Sequence, residues 1–504
     1  MRCSVLQDLE DIAIKFPNKI AFADMKEEFS FSMLLEYSKR IGSCIAKIIR
    51  IHEPVAVYMD KRAYNIPVFW GSVYAGGFYV PIDSKMPLER VKLILDTLHP
   101  SVIIYDDVTE ENIELVSKDI RTIHYRETIS CEINQKKLDY IRSYAKSTDL
   151  LYVLFTSGST GIPKGVTVSH ASVLDFMDWI CDKYNLNDRV TLCNQAPFYF
   201  DASVPDLYIP LKTGATVYIP PKAYYTFPKK ILNFIVEKDV NTLIWVPSAL
   251  CNVVNCRAFS VVCPKSIELV IFCGEVMPCK HFNVWKKNIP NAKYVNMYGP
   301  TEATYACMYY DIDREFKDNE VLPLGKACEN SGILLLTDDN KEAPEGELGE
   351  ICVLGQCLSN GYYNDPIKTK EAFIQNPLNN NWTELMYRTG DLGCKKNGYF
   401  EFVGRKDNQI KRLGHRIELG EIENAIVSIE TVEAVCCLFN PNNSEIIALY
   451  TGNATGDDIS KTIKDLLPDY MFPTRYENIG VMPMSLNGKI DRVYLKKRYL
   501  GENI

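Results

Sequence analysis

Short apolar segments alternate with helical patterns through the first 300 residues of the chain. PVAVYMD at 54–60 and SVIIYDD at 101–107 have the character of buried strands, and LERVKLILDTL at 88–98 between them has helical spacing. Strands that alternate with helices are typical of parallel sheets layered with helices. Four later segments continue the pattern, at 215–220, 241–247, 268–275 and 293–300. The sequence therefore predicts an α/β fold of layered subdomains.

The pattern changes twice towards the C-terminus. From about 305 to 403 the strands shorten and turns become frequent, which predicts a β-rich subdomain. After Arg405, a helix that begins within GHRIELGEIENAIVSI, two pairing strands and a second helix predict a small α+β domain. We expect a large N-terminal domain at 1–404 and a small C-terminal domain at 405–504.

Composition excludes several classes of protein. The 504 residues carry a net charge of -8, which argues against a nucleic-acid partner because phosphate neutralisation needs clustered Lys and Arg. No apolar run is long enough to span a membrane. The first residues predict an amphipathic helix with Val5, Leu6, Leu9 and Ile12 on one face, not a signal peptide. Seventeen cysteines without a C-x-x-C spacing suit reduced thiols, so we expect a cytoplasmic protein.

A loop rich in Gly, Ser and Thr follows the apolar run at 151–155, within LYVLFTSGSTGIPKGVTVSH. It is not a P-loop, because Gly158 and Gly161 are too close and Lys164 precedes Gly165. Its chemistry still suits phosphate, since glycine N–H groups, hydroxyls and one ammonium group can surround an anion. A short Gly-Ser-Thr-Gly alone would more often be a plain connector. The predicted phosphate-binding residues are Thr156, Ser157, Gly158, Ser159, Thr160, Gly161 and Lys164.

Six motifs in one order resemble the adenylate-forming superfamily, which contains acyl-CoA synthetases, luciferases and amino-acid adenylation domains of nonribosomal peptide synthesis. Besides FTSGSTGIPKG, they are YAGGFYVPID at 74–83, NMYGPTEAT at 296–304, YRTGDLG at 387–393, GRKDNQIKRLGHRIELGEIE at 404–423 and NGKIDR at 487–492. The resemblance covers nearly the whole chain. It implies a ligase that uses ATP and Mg²⁺ to convert a carboxylate into an acyl-adenylate and pyrophosphate, after which a thiol attacks the adenylate.

The resemblance also implies roles for the nucleotide-binding residues. Tyr298 would pack on adenine, Asp391 and Arg405 would hold the ribose, Thr301 would contact phosphate and Glu302 would hold Mg²⁺. Taken alone, Glu302 and Asp391 could equally be turn residues. The other implied nucleotide-binding residues are Gly274, Glu275, Asn296 and Gly299.

The C-terminal motifs imply a catalytic lysine and a moving domain. Lys489 would bridge the substrate carboxylate and the α-phosphate, where a cation offsets the charge that builds up during attack. The small domain would rotate about a hinge at Asp407 between the two steps. Gly414 would then approach the active site and line the tunnel for the thiol.

Asp201 in NQAPFYFDASVPDLY points to an α-amino acid, because activators of amino acids carry an Asp there that pairs with the substrate ammonium. A helix N-cap is the alternative role. Alignment by motif places the rest of the amino-acid pocket at Phe200, Ala202, Pro205, Ile244, Ile271, Cys273, Met297, Tyr305 and Ala306. None of these other pocket side chains is charged, so we expect an uncharged, small to medium, apolar amino acid.

Two subfamilies compete for the chain. YRTGDLG and GHRIELGEIE are closer to peptide-synthetase adenylation domains, whereas NQAPFYFD and FCGE resemble D-alanine–carrier-protein ligases, from which Pro205 and Tyr305 depart. In either case we expect a monomer that loads the phosphopantetheine arm of a separate carrier protein. An acyl-CoA synthetase is a further alternative, which Asp201 disfavours. A catalytically inactive nucleotide-binding protein is another, disfavoured by the joint presence of Lys164, Glu302, Asp391 and Lys489.

Overall fold

A computed structural model describes residues 2–158, 161–441, 443–484 and 490–501. Ser159, Thr160 and Lys489 of the predicted site therefore lie outside the described residues. The helices are α1 Val5–Lys15, α2 Phe31–Ile45, α3 Asn65–Tyr74, α4 Leu88–Leu98, α5 Glu110–Ser117, α6 Tyr125–Ile129, α7 Gln135–Arg142, α8 His170–Lys183, α9 Val204–Thr213, α10 Lys222–Thr226, α11 Pro228–Glu237, α12 Pro247–Asn255, α13 Cys279–Asn288, α14 Pro366–Ala372, α15 Leu419–Val427, α16 Gly456–Ile463 and α17 Arg492–Leu500.

The strands include most of the predicted apolar segments. They are β1 Ile20–Ala23, β2 Glu28–Ser30, β3 Pro54–Met59, β4 Phe78–Asp83, β5 Val102–Tyr105, β6 Arg121–His124, β7 Leu150–Thr156, β8 Lys164–Ser169, β9 Thr191–Cys193, β10 Thr216–Tyr218, β11 Thr242–Trp245, β12 Leu269–Cys273, β13 Lys293–Tyr298, β14 Met308–Asp311, β15 Lys326–Ala327, β16 Ser331–Leu336, β17 Gly349–Gly355, β18 Phe373–Gln375, β19 Leu385–Lys396, β20 Tyr399–Arg405, β21 Gln409–Arg412, β22 His415–Glu418, β23 Val432–Asn440, β24 Glu445–Gly452 and β25 Arg475–Asn478.

The described chain forms two compact units. The larger unit takes its residues from 1–84, 98–154 and 165–406, and the smaller unit from 85–97, 155–164 and 407–504. The chain thus passes from the larger to the smaller unit between Lys406 and Asp407. The predicted domain limits at 404 and 405, and the hinge at Asp407, stay predictions.

Two largely parallel sheets form the framework of the larger unit. Among the described residues, one sheet has the order β15-β14-β13-β12-β11-β9-β10-β1-β2 and the other the order β6-β5-β3-β4-β7-β8. In the first sheet the strands from β13 to β1 are parallel, and antiparallel strands lie at both edges. One hydrophobic cluster contains residues of both sheets and of α1, α2, α3, α8 and α9. All ten residues of α3 are buried, which explains its lack of a polar face.

The β-rich and α+β parts also follow the expectation. β16 to β20 form an antiparallel sheet, and in the smaller unit β23 pairs antiparallel with β24, which pairs parallel with β25. The α/β fold class with its β-rich and α+β parts is confirmed. The amphipathic helix at the N-terminus is confirmed as well, because α1 buries all four predicted apolar residues.

The helix predicted from Gly414 onwards begins later than expected. His415–Glu418 instead form β22, which pairs with β21 through a tight turn at Leu413 and Gly414. Both turn residues have positive φ, 54° and 80°, as a type I′ hairpin turn requires. This hairpin geometry takes precedence over the helical pattern, and α15 starts only at Leu419. Among the described residues, none of the helices is both long and apolar enough to cross a membrane.

Gly325 joins the first sheet to β20 and leaves no room for a side chain. Its backbone bonds to Phe400, with N···O distances of 2.7 and 3.3 Å, and its φ is +91°. A Cβ there would lie 1.9 Å from the carbonyl oxygen of Tyr309. Gly346 has a similar φ of +87°, but nothing lies within 4 Å of its Cβ position.

We therefore expect Gly325→Ala to destabilise the protein more than Gly346→Ala. The Gly346 variant should lose about 1–2 kcal/mol of unfolding free energy from its backbone conformation. The Gly325 variant should lose about 1–3 kcal/mol more, because the strands must separate to admit the methyl group. Urea unfolding followed by circular dichroism measures both, and equal losses would contradict the predicted clash.

Candidate active site

Asp201 and Thr301, both predicted site residues, meet in the larger unit. Asp201 opens a short 3₁₀ helix, Asp201–Ser203, that follows β9 and leads into α9. Thr301 opens a similar helix, Thr301–Ala303, after β13. The Thr301 hydroxyl donates a 2.6 Å hydrogen bond to the carboxylate of Asp201, which is partly buried. The structure thus places the carboxylate beside the hydroxyl and fixes its orientation.

The predicted pocket residues lie together because the parallel strands are in register. Ile244 of β11 is the direct partner of Ile271 of β12, and Cys273 is the partner of Met297 of β13. These four side chains belong to one buried cluster with Tyr305 and Ala306, against which Ala202 packs. Pro205 is buried in the first turn of α9 and Phe200 is partly buried beside Tyr199. The pocket set is uncharged apart from Asp201.

The wall of the pocket at Tyr305 has an uncommon backbone. Thr304 and Tyr305 have φ values of 50° and 78°, a region that residues other than glycine seldom adopt. Burial and side-chain bonds hold this turn, since the Thr304 hydroxyl donates to the carbonyl of Cys357 at 2.7 Å and the Cys273 thiol donates to the carbonyl of Tyr305 at 3.8 Å. Gly299 makes room for the turn, because a Cβ there would lie 2.5 Å from the Tyr305 carbonyl oxygen and from Ala306 Cα.

Three residues of the predicted nucleotide site form one buried network. The Tyr298 hydroxyl and the Arg405 guanidinium donate to different oxygens of Asp391, which is 2% exposed. Arg405 also donates to the Thr389 carbonyl at 3.1 Å. Burial, and secondarily the Asp391 carboxylate, raises the pKa of Tyr298 well above its usual value, so the phenol stays a donor. Each Asp391 oxygen retains a second lone pair that could accept a ligand hydroxyl.

Glu302 is completely buried and has a tyrosine partner that no sequence pattern indicated. The Tyr362 hydroxyl donates to Glu302 Oε1 at 2.7 Å, and the backbone at Ser359 bonds to the Glu302 carbonyl at 2.8 Å. Tyr362 is 60 residues away in the chain, and it lies in a Tyr-Tyr pair without a motif. Only the fold brings it to Glu302.

Asn296 and Glu275, two further predicted nucleotide-binding residues, make structural bonds. The Asn296 amide donates to the Pro323 carbonyl at 2.8 Å. The Glu275 carboxylate accepts from the backbone N–H of Ser248, in the first turn of α12, at 2.9 Å. Gly274 has a φ of +98°, a conformation that suits glycine.

The described part of the predicted phosphate loop belongs to the smaller unit and contacts an anion there. The backbone N–H of Gly158 donates to the carboxylate of Glu421, which also pairs with Arg90 in the same unit. Burial raises the pKa of Glu421. The Ser157 hydroxyl donates to the Arg416 carbonyl at 2.8 Å, and the buried Thr156 hydroxyl has no partner among the described atoms. A backbone N–H that donates to an anion is the chemistry expected of a phosphate loop.

Asp407 and Gly414, two further predicted residues of this unit, lie at the β21–β22 hairpin. Asp407 accepts from the backbone N–H of Gln409 at 3.1 Å, and Gly414 lies in the turn. Lys164 begins β8 and Gly161 has a φ of +82°. Because the loop and the Asp201–Asp391 region belong to different units, their joint use of one ATP molecule stays a prediction.

Comparison with known proteins decides the family. The family model described as "AMP-binding enzyme" matches residues 9–363. The chain belongs to the AMP-binding enzyme family. The predicted membership of the adenylate-forming superfamily is thereby confirmed, and the protein is an ATP-dependent, AMP-forming ligase.

The relatives of this AMP-binding enzyme include D-alanine–D-alanyl carrier protein ligases and a much longer synthase. This chain is 32% identical to a D-alanine–D-alanyl carrier protein ligase of Bacillus velezensis over 515 residues, which cover 99% of each chain. A ligase of the same name from Listeria monocytogenes is 31% identical over 514 residues, which cover 98% of each of the two chains. A mycosubtilin synthase of Bacillus subtilis is 31% identical over 97% of this chain, which spans only 19% of that much longer protein.

Solved structures share the fold. The Vibrio cholerae adenylation domain AlmE, in complex with glycyl-adenosine-5'-phosphate, superposes with a TM-score of 0.83 at 20% identity, covering 100% of this chain and 98% of AlmE. The fused adenylation–PCP di-domain NpsA-ThdA from Klebsiella oxytoca gives 0.81 at 20% identity, covering 95% and 94%. These likenesses confirm the fold class.

The close approach of Gly299 to the pocket wall predicts a kinetic defect in Gly299→Ala. The added methyl group must push the Tyr305–Ala306 backbone outward, so the enzyme should lose about ten- to a hundredfold in kcat/KM for its carboxylate substrate. Steady-state ATP–pyrophosphate exchange measures this. Gly346→Ala is the control, since it introduces backbone strain far from the pocket in sequence and into open space, and it should keep wild-type kinetics. Equal kinetics in both variants would contradict the assigned pocket wall.

Proposed function

We propose that this enzyme activates an amino acid with a small, uncharged side chain and transfers it to the phosphopantetheine thiol of a separate carrier protein. The observation that carries the proposal is the Asp201 carboxylate, oriented by Thr301 beside an otherwise uncharged pocket. A carboxylate in this setting suits a substrate ammonium group. A charged substrate side chain would have no partner among the pocket residues and would be costly to bury.

D-alanine is the first candidate substrate. The relatives that the chain matches from end to end are named D-alanine–D-alanyl carrier protein ligases, which favours this substrate over an unspecified apolar amino acid of a peptide synthetase. Tyr305 and Met297 are bulky and buried, at 3% and 2% exposure, which supports a short side chain. Pro205 and Tyr305 are the positions at which another small amino acid could be selected instead.

The proposed chemistry needs no general base. The substrate carboxylate is ionised at neutral pH, and its oxygen forms a bond to the α-phosphorus of ATP while the bond to the β-phosphate oxygen breaks. Pyrophosphate leaves, and in the second step the carrier thiol loses its proton to solvent and its sulfur displaces AMP from the acyl carbon to give a thioester. Lys489, which lies outside the described residues, is proposed to offset the charge at the α-phosphate, and the loop at 156–164 is proposed to hold the β- and γ-phosphates.

The residues also suit a magnesium ion bound with ATP. Mg²⁺ commonly binds one or two protein carboxylates together with substrate phosphates, and Glu302 offers a buried carboxylate next to the proposed phosphate ligand Thr301. When bound, the ion would neutralise phosphate charge. The bond from Tyr362 to Glu302 Oε1 would orient the carboxylate towards the metal.

Amino-acid-dependent ATP–pyrophosphate exchange with all L- and D-amino acids tests the proposal. We expect activity with small uncharged amino acids, D-alanine first, and none with fatty or aryl acids. Thioester formation on a phosphopantetheinylated carrier protein, compared with free CoA, tests the second step. Activity only with fatty or aryl acids and CoA would favour an acyl-CoA synthetase.

Asp201→Ala should lower kcat/KM for the amino acid by a hundredfold or more, because the ammonium group would be buried without its partner, at a cost of about 3–5 kcal/mol. Asp175→Asn is the matched control. Asp175 is also partly buried and also accepts one hydrogen bond from a neutral group, the Asn330 amide at 2.8 Å. If both variants kept full activity, Asp201 would not bind the substrate.

Tyr362→Phe should raise the magnesium concentration needed for half-maximal activity by about ten- to a hundredfold, since partners that orient a metal ligand typically contribute that much. A magnesium titration of the exchange reaction measures it. Tyr294→Phe is the control, because it also removes one buried hydroxyl bond, to the Ile289 carbonyl at 3.0 Å, without touching Glu302. The same magnesium requirement in both variants would count against Glu302 as the metal ligand.

A further inference from the structure

The loop that carries Asp201 is closed at its base by a buried hydrogen bond. The Asn194 amide, directly after β9, donates to Asp206 Oδ2 in the first turn of α9 at 2.7 Å. The two side chains are 0% and 1% exposed. The bond joins residues on either side of the segment 195–205, which includes Phe200 and Asp201. We call the Asn194–Asp206 pair the clasp.

Lys61 and Tyr225 hold the same base from outside the loop. Lys61, two residues beyond β3, places its ammonium group 3.2 Å from the carbonyl oxygen of Gln195 and 3.5 Å from that of Asn194. The Tyr225 hydroxyl donates to the Asn194 carbonyl at 2.9 Å. Three separate elements therefore contact Asn194 and Gln195 at the base of the loop.

The clasp is poorly explained as a device for stability alone. Asp206 Oδ1 and Asn194 Oδ1 are buried and have no partner among the described atoms. Burial raises the pKa of Asp206 to about 7 and lowers that of Lys61 to about 8, while their mutual attraction opposes both shifts. A well-packed apolar pair at such a place is often as stable or more so. The polar clasp instead fixes one geometry of the loop.

The clasp also lies close to the amino-acid pocket. Asp206 follows the pocket residue Pro205, and the charges of Asp206 and Asp201 both contribute, after burial and Cys273, to the raised pKa of Tyr305 in the pocket wall. Within the loop itself, the Ser203 hydroxyl donates to the Phe200 carbonyl at 2.6 Å, directly before Asp201. The position of Asp201 therefore depends on a short segment held at its base.

We propose that Asn194, Asp206 and Lys61 are positioning residues that hold the Asp201 loop in the geometry that recognises the substrate ammonium group. The proposal rests on the proposed amino-acid-activating function. It assigns a role in amino-acid binding to three residues that do not line the predicted pocket. Their loss should weaken binding of the amino acid and leave binding of ATP nearly unchanged.

Kinetics of Asn194→Ala, Asp206→Ala and the double variant test the proposal. Each single substitution should raise KM for the amino acid by about tenfold in the exchange reaction, with KM for ATP within about twofold of wild type. The double variant should be no worse than the single ones, because the two side chains act as one unit. Asp206→Asn, which keeps an acceptor for the Asn194 amide, should recover much of the lost affinity.

Asp106→Ala is the matched control. Asp106 is also fully buried and also accepts a hydrogen bond, from the Tyr64 hydroxyl at 2.6 Å, in the same unit. It should lower the thermal midpoint without raising the amino-acid KM selectively. If Asp206→Ala fails to fold, Lys61→Met is the second variant. It removes the ammonium group that contacts the base of the loop, at a residue that is only partly buried, and it should raise the amino-acid KM several-fold.

Three results would overturn the proposal. They are an unchanged amino-acid KM, a parallel rise of both KM values, and additive effects in the double variant. A wild-type enzyme without amino-acid-dependent exchange would instead overturn the proposed function, and the clasp proposal with it. Asp201→Ala distinguishes failure of the clasp proposal from failure of the proposed function. If Asp201→Ala loses activity while Asp206→Ala has normal kinetics, the clasp proposal is rejected and the proposed function stands.

Discussion

The in-register pairing of β11, β12 and β13 is the constraint on which the candidate site depends. Parallel strands end at the same edge of a sheet, so the pairs Ile244–Ile271 and Cys273–Met297 bring residues from three distant segments side by side. A shift of one residue would turn these side chains to the opposite face. The short helical turns at Asp201 and Thr301 follow β9 and β13 of this sheet, and their side chains form a hydrogen bond to each other. The polar side chains of Asp201 and Thr301 thus follow strands of a sheet whose geometry is fixed by backbone hydrogen bonds and by burial of its apolar residues.

Three carboxylates of the candidate site in the larger unit each accept a hydrogen bond from a neutral hydroxyl group. Thr301 holds Asp201, Tyr298 holds Asp391 and Tyr362 holds Glu302. A neutral donor orients a carboxylate without cancelling its charge, so the group keeps its affinity for a cation. Arg405 is the exception, because it neutralises Asp391. That exception suits a carboxylate whose expected ligands are neutral ribose hydroxyls rather than an ammonium group or a metal ion.

Sequence patterns located most of the fold and much of the site, but they did so by local features. Apolar runs such as 241–247 predicted β11, and the motifs around Thr301 and Asp391 predicted residues that the fold brings into hydrogen-bonded groups. Tyr362 and Lys61 could not be found in this way, because each acts through contacts with residues more than 50 positions away. The late start of α15 has a different cause. The I′ turn at Gly414 commits four following residues to β22, although their apolar spacing also fits a helix.

The pocket concentrates conformations and contacts that lower stability. Thr304 and Tyr305 have positive φ, at a cost of order 1–3 kcal/mol each, and Asp206 Oδ1 is buried without a partner among the described atoms. Tyr305 packs in the apolar core that α3 and the two sheets supply, but the positive φ values and the unpartnered Asp206 Oδ1 do not stabilise that core. Each one instead fixes the position of a side chain or a backbone segment next to Asp201. The surrounding sheets and helices hold these locally unfavourable conformations in place, and a rigid site keeps its side chains in the geometry that the proposed ligand requires.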